Sequence, residues 1–317
     1  MAKTVLFHIE GGLGKHILFT AVLASYKATF PDKKIIIKCS YPEVFDNNPN
    51  VYRVFGTQVS EYFYQDYILN KDIEIFANEP YKQTSHITKQ KHLYYTWCDL
   101  IGASINDHTP PLYNAPLDDI IAGKGYPELH LNIREREFSS TLIPQSTKPT
   151  LIIQPSGGPG TDHQQTPYSW ARDIPPATTQ YLINELSQYY NIVHVCLPNQ
   201  LTYANCHRIE NYMPKRVLFS LLTHADKLLL IDSSLQHAAA ALQIPATVIW
   251  NVTSPDIFGY NIHNNISPRF DIPQGNIGTR NSYLFDYDIS GNISECPYTD
   301  MSTLYNTDKI INSLIPQ

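Results

Sequence analysis

Lys3-Thr-Val-Leu-Phe-His-Ile9 is an apolar run of the buried-strand type, Gly11-Gly12-Leu13-Gly14 is a glycine turn, and an apolar helical run follows from about His16 to Phe30. Pro31-Asp32 stops that helix, and Lys34-Ile-Ile-Ile-Lys38 supplies a second strand. Two strands joined through a helix must pair in parallel, because a crossover of that length does not make a hairpin. The expected fold class is α/β.

The same grammar restarts further on. A polar, proline-bearing stretch, Ile143-Pro-Gln-Ser-Thr-Lys-Pro149, gives way to the strand Leu151-Ile-Ile-Gln154 and the turn Ser156-Gly157-Gly158-Pro159-Gly160. Alternating elements follow: a helix over about 176–190, the strand Ile192–Leu197, a helix near 214–224, the strand Lys227–Ile231, a small-residue helix over 235–242 and the strand Ala246–Trp250. Two Rossmann-like domains, 1–148 and 149–317, facing across a cleft are the simplest architecture, with a final helix near 302–314 that crosses back to the first domain. Between Tyr41 and Pro149 the pattern shows short strands near 52–55 and 73–76 and a helical segment around 89–103.

The chain has 317 residues, matching two domains of roughly 150. At 43% hydrophobic and 16% charged it is too apolar for disorder, and it has no run of the ~18 apolar residues that a membrane span needs. The apolar start Val5-Leu6-Phe7 is too short for a secretory leader, so a cytoplasmic location is expected. Five scattered cysteines without CxxC spacing fit reduced thiols better than a zinc site or a disulfide framework. Residues 1–150 carry 15 basic against 16 acidic side chains and residues 151–317 carry 8 against 13, so neither half binds polyanions by bulk charge.

Two turns carry the chemistry. Gly11, Gly12 and Gly14 sit where a parallel strand meets a helix start, where backbone N–H groups approach an anion or a sugar hydroxyl. A phosphate-binding P-loop would need glycine at Ile9 and a hydroxyl residue at His16, and the dinucleotide fingerprint would need glycine at Ile17, so neither motif is present. Glu10, Lys15 and His16 crowd this turn, which otherwise reads as a tight connection. In the second half, the strand ending at Ile231 runs into Asp232-Ser233-Ser234 and a helix start with His237. An acid and two hydroxyls at a strand's carboxyl end are ready acceptors for ligand hydroxyls, and they also suit simple helix capping.

At these residues the chain resembles the heptosyltransferase family (glycosyltransferase family nine), which has the two-domain GT-B fold. The resemblance rests on GGLGKHILFTAVLASYKATFPDKKIII at 11–37, NPNVYRVF at 48–55, PSGG at 155–158 with Trp170 beyond it, DSSLQHAAAAL at 232–242 and NVTSPDIFG at 251–259. It implies a glycosyltransferase, inverting and metal-independent, that uses a nucleotide sugar as co-substrate and no cofactor. The donor would lie against Gly157, Gly158, Trp170, Arg172, Asp232, Ser233, Ser234 and His237, and a saccharide or lipid-linked acceptor against the Gly11-Gly12-Gly14 turn. Family members usually carry an aspartate, the presumed base, directly after the second glycine of the first turn, where this chain has Lys15. The basic residue before the tryptophan is also replaced, with Arg172 two positions beyond it.

Glu10 and His16 are then the local candidates for the base, Glu10 first because it ends the strand, and Lys15 is the candidate clamp on a leaving diphosphate. Two other readings stand beside this one. A transferase acting on a nucleobase in DNA draws on the cationic and aromatic stretch Tyr81–Tyr95 with Lys82, His86, Lys89, Lys91 and His92. A catalytically silent nucleotide-sugar-binding protein draws on Lys15 replacing the acid.

Overall fold

The computed structural model describes residues 3–87, 91–104, 125–157, 172–251, 253–269 and 303–315. Gly158, Trp170, Lys89 and Cys296 lie outside these residues.

Among the described residues there are two parallel sheets. The first contains β1 (Thr4–Ile9), β2 (Lys34–Cys39), β3 (Arg53–Phe55) and β4 (Ile73–Phe76) in the order β3-β2-β1-β4. The helix α1 (Leu13–Thr29) crosses from β1 to β2, and α2 (Glu61–Tyr67) from β3 to β4. Next come α3 (Thr84–Ile87), α4 (Leu93–Ile101) and α5 (Ile133–Ser140). The second sheet holds β5 (Thr150–Ile153), β6 (Asn191–Cys196), β7 (His207–Glu210), β8 (Lys227–Ile231), β9 (Thr247–Ile249) and β10 (Asn264–Ile266) in the order β10-β9-β8-β5-β6-β7. Its helices are α6 (Pro176–Leu186), α7 (Lys215–Leu221), α8 (Ser234–Ala241), α9 (Pro255–Phe258) and α10 (Thr307–Leu314).

Each sheet reverses its winding once. The first runs outward from β1 through β2 to β3 and returns to the other side of β1 as β4; the second runs from β5 to β7 and returns beside β5 as β8. Such a reversal leaves a crevice at the carboxyl ends of the two diverging strands, the usual binding place in an open α/β sheet. In the first sheet it falls between the ends of β1 and β4, and in the second between the ends of β5 and β8.

The halves share one core. A contiguous cluster joins Val5, Phe7 and Ile9 of β1 and Ile17 to Leu23 of α1 to Leu235, Ala238, Ala239, Ala240 and Trp250 of the second half. α1 lies directly on α8. A Cβ at Gly14 would stand 2.7 Å from His237 Cδ2 and 3.4 Å from Ser234 Cα, so the bare glycine is what lets the two helix starts meet. The alanines of α8 serve the same close approach from the other side.

A second junction is polar. Arg216 of α7, 7% exposed, donates to Glu135 Oε1 at 2.5 Å and Oε2 at 3.0 Å, to His130 O at 2.6 Å and to Glu43 O at 3.1 Å. One guanidinium thus ties α7 to the linker helix and to a turn of the first half. Ser139 continues the junction by donating to Ser220 Oγ at 3.0 Å.

The structure corrects several expectations. The final helix does not return to the first domain; α10 packs on α6 and β9 of the second sheet, where Ile310 and Leu314 are fully buried. The segment that crosses the halves is α5. In the basic and aromatic stretch Tyr81–Tyr95, His86 and His92 are buried and unavailable to nucleic acid, while Lys82 is exposed and the exposed Lys91 pairs with Asp99 at 2.6 Å. The strands β7 and β10, with the sequences HRIE and NNI, and the helices α2 and α5 carry too little apolar periodicity to be read beforehand.

Candidate active site

The two crevices meet along the contact of α1 with α8. On the first side, Gly11 has φ of +102°, a left-handed conformation that glycine tolerates, and Gly12 is the N-cap of α1 with no side-chain cap and no acid in the first turn. Gly11 and Gly12 are both exposed, so backbone without side-chain cover is presented at the end of β1.

Glu10 stands at that strand end with its side chain 71% exposed, its Oε1 3.2 Å from His8 Nε2. Lys38 Nζ, on the neighbouring strand in register with His8, also lies 3.2 Å from that nitrogen.

Lys15 and His16 turn inward, against both expectations drawn from the sequence. The Lys15 side chain is 4% exposed; its Nζ is 2.6 Å from Glu79 Oε2 and lies 5.2 and 5.4 Å from the ring centres of Tyr81 and Trp97. Burial lowers its pKa, opposed by the hydrogen bond and charge of Glu79. A cation already neutralised and enclosed is not offered to a diphosphate. His16 is 0% exposed, packs edge-on against Tyr41, and donates from Nδ1 to Gly12 O at 2.9 Å, which leaves the proton-free Nε2 sealed without a partner. Burial lowers its pKa too. An imidazole with no accessible surface cannot take a proton from an acceptor, so His16 is withdrawn as a base.

On the second side, Asp232 is 8% exposed and its Oδ2 accepts from Thr253 Oγ1 at 2.5 Å. Burial raises its pKa, while the charge of Arg172 and the bond from Thr253 oppose the rise. Ser233 is the N-cap of α8, accepts from Leu235 N at 3.4 Å, and donates to Gln154 Oε1 at 2.5 Å, linking the ends of β5 and β8. Ser234 is half-buried beside Gly14. The N–H of Gly157 is engaged by Asp173 Oδ1 at 2.8 Å, so its backbone donor serves the turn itself. Arg172 lies within electrostatic reach of Asp232, whereas Gly158 and Trp170 fall outside the described residues.

His237 belongs to the seam. It is 6% exposed, its Nδ1 is 2.7 Å from Tyr260 Oη, and Gln236 Nε2 donates to its Nε2 at 3.1 Å. Burial, with the nearby His92, His263 and Arg172, pushes its pKa down to about 3. It packs the interface rather than facing open solvent.

Sequence reasoning missed Glu79, Gln154 and Thr253. Glu79 follows β4 in Asn78-Glu79-Pro80, an acid at a strand end before a proline turn, and that was its signal. Among the described residues no group of three His, Cys, Asp or Glu side chains could hold a metal ion, and no helix is long and apolar enough to cross a membrane.

No protein-family model and no curated protein matches the chain. Solved structures do. A family 9 glycosyl transferase from Veillonella parvula superposes with a TM-score of 0.65 at 12% identity, covering 98% of this chain and 95% of that one. The E. coli ADP-heptose lps heptosyltransferase II gives 0.56 at 13% identity, covering 86% and 92%. The E. coli heptosyltransferase WaaC with ADP gives 0.52 at 14% identity, covering 89% and 96%. The chain therefore has the two-sheet α/β fold of the family 9 glycosyltransferases.

Proposed function

We propose that the chain is a glycosyltransferase that moves a sugar from a nucleotide-sugar donor to an acceptor hydroxyl, by an inverting and metal-independent displacement. The observation that carries this reading is the meeting of two switch-point crevices at one seam, in a fold whose solved examples include one with ADP. The second crevice, with Asp232, Ser233, Ser234 and Arg172, suits the donor, since it offers hydroxyl acceptors and a cation beside a helix start. The first, with Gly11 and Gly12, suits an acceptor such as a saccharide or a lipid-linked sugar, since bare backbone admits a bulky polyol. Residues 1–148 form the acceptor domain in this reading and residues 149–317 the donor domain. The site works inside the cell, where nucleotide sugars are made.

In a single displacement the acceptor oxygen attacks the anomeric carbon as the bond to the diphosphate breaks, and a base must take the hydroxyl proton. A panel of nucleotide sugars, ADP-sugars first, tests the activity through nucleoside diphosphate release with and without saccharide acceptors. Release above the uncatalysed rate that survives a chelator is the expected result. Failure of every donor removes the enzyme reading, and a requirement for magnesium or manganese removes metal independence. The chelator arm also tests Asp286 and Asp288, an acid pair outside the described residues.

A further inference from the structure

We propose that Glu79 is the general base of the transfer, held in place by Lys15; this rests on the glycosyltransferase reading above. Glu79 lies just past β4, in the crevice that the first sheet opens between the ends of β1 and β4. Its side chain is 35% exposed, while the lysine that grips it is 4% exposed. The arrangement is a buried cation presenting an accessible carboxylate.

Two bonds fix that carboxylate. Oε2 accepts from Lys15 Nζ at 2.6 Å and Oε1 accepts from Tyr81 N at 3.2 Å. Each carboxylate oxygen has a second lone pair, so both stay able to accept from a substrate hydroxyl. The Lys15 ammonium also packs against the Tyr81 and Trp97 rings. The Tyr81 ring lies 6.1 Å from Phe258 of the second half, which puts the Glu79–Tyr81 segment on the seam where donor and acceptor must meet. Glu10, the other open carboxylate, is 71% exposed, and the partner of its carboxylate is His8, for whose nitrogen Lys38 competes. A base fixed in one geometry transfers a proton more effectively than one on a loosely held side chain.

The acceptor O–H proton passes to a Glu79 oxygen while the acceptor oxygen forms its bond to the anomeric carbon. The bond from that carbon to the diphosphate breaks, and the nucleoside diphosphate leaves with the electron pair. Glu79 then releases the proton to solvent. Lys15 is a positioning residue and touches neither substrate.

Steady-state kinetics and calorimetry with ADP test the assignment. Glu79→Gln should lower turnover by about 10²- to 10⁴-fold while ADP affinity changes less than threefold. Added formate should restore part of the rate to Glu79→Ala, which a purely structural role for Glu79 would not allow. If Glu79→Gln fails to fold because Lys15 is left buried and unpaired, Lys15→Met with Glu79→Gln removes the pair together and must show the same rate loss. An active wild-type enzyme with near-normal turnover in either variant overturns Glu79 alone, as does a loss in Glu10→Gln that exceeds the one in Glu79→Gln. A wild-type chain that turns over no donor overturns the glycosyltransferase reading and this inference with it.

Discussion

Acidification should loosen the seam between the two halves, because two histidines on it, His92 and His237, and a third behind it in the second half, His263, are buried with no room for a second ring proton. His92 Nε2 donates to Gly259 O at 3.1 Å and its Nδ1 accepts from Tyr94 N at 3.2 Å. His263 Nε2 donates to Gln236 O at 3.0 Å while its Nδ1 accepts from Ala246 N at 3.2 Å. His237 accepts from Gln236 Nε2 at 3.1 Å. Each ring uses its lone pair to accept from an N–H, so a further proton sets donor against donor inside the core. Burial accordingly holds His92 and His237 at about 3 and His263 at about 4. Folded pKa values below the unfolded ~6.5 mean that the stability is fully present above pH ~6.5 and is lost as pH falls toward the folded values. At pH 5.5 the unfolded chain gains about 1.4 kcal/mol per histidine from protonation, about 4 kcal/mol for the three, a large fraction of the ~5–15 kcal/mol of a typical domain. Urea unfolding at pH 7.5 and 5.5, followed by tryptophan fluorescence, measures the drop. In His92→Gln and in His263→Gln the drop should shrink by about 1.4 kcal/mol, whatever each substitution costs at pH 7.5. A variant whose stability falls as much as the wild type's between those pH values refutes the argument for that histidine.

Three further outcomes follow from the geometry. Gly14→Ala should destabilise by about 1–3 kcal/mol through the clash with His237, and in a double-mutant cycle with His237→Ala the two costs should be less than additive; strict additivity in chemical denaturation would show that the ring moves aside freely. Arg216→Met should cost about 3–5 kcal/mol by leaving Glu135 without its partner, and Glu135→Leu with Arg216→Met should recover only part of it, as read by thermal unfolding, because His130 O and Glu43 O still lose their donor and Asn132 N its acceptor. Asp232→Ala with Ser233→Ala should weaken nucleoside diphosphate binding by at least tenfold in calorimetry, about 1.4 kcal/mol, and unchanged affinity would remove the donor site from the end of β8.

How far the sequence could be read depended on how much apolar pattern each element carries. β1, β2, β5, β6 and β8 are buried on both faces, so their runs of Val, Ile and Leu mark parallel strands directly. β7 and β10 lie at the two edges of the second sheet, where fewer side chains are buried and His207, Glu210, Asn264 and Asn265 can replace apolar ones. The crossing segment was invisible for another reason. α5 reads IREREFSS, and it is held to α7 by Arg216–Glu135 and Ser139–Ser220, contacts between polar residues far apart in the chain. At the site, Asp232 and Ser233 were legible because they end a strand and start a helix, whereas the partner of Lys15 could be found only once β4 was placed beside β1.

The inward turn of Lys15 and His16 follows from a property of α1 that does show in its sequence. His16-Ile-Leu-Phe-Thr-Ala-Val-Leu23 is apolar on every face, not on one stripe, and a helix of that kind is enclosed on all sides. α1 is indeed covered by the first sheet and α4 and, across the seam, by α8. Any polar residue it carries past its first exposed backbone groups must find a partner inside. Lys15 finds Glu79, His16 finds Gly12 O, and Thr20 Oγ1 donates to Ile17 O at 2.7 Å while accepting from Glu128 N at 2.7 Å. Polar residues crowded after a glycine turn therefore signal a site only while the helix they start keeps an open face. Where it does not, the reactive groups must come from the strand ends around it, and among the described residues the carboxylates at those ends are Glu10, Glu79 and Asp232.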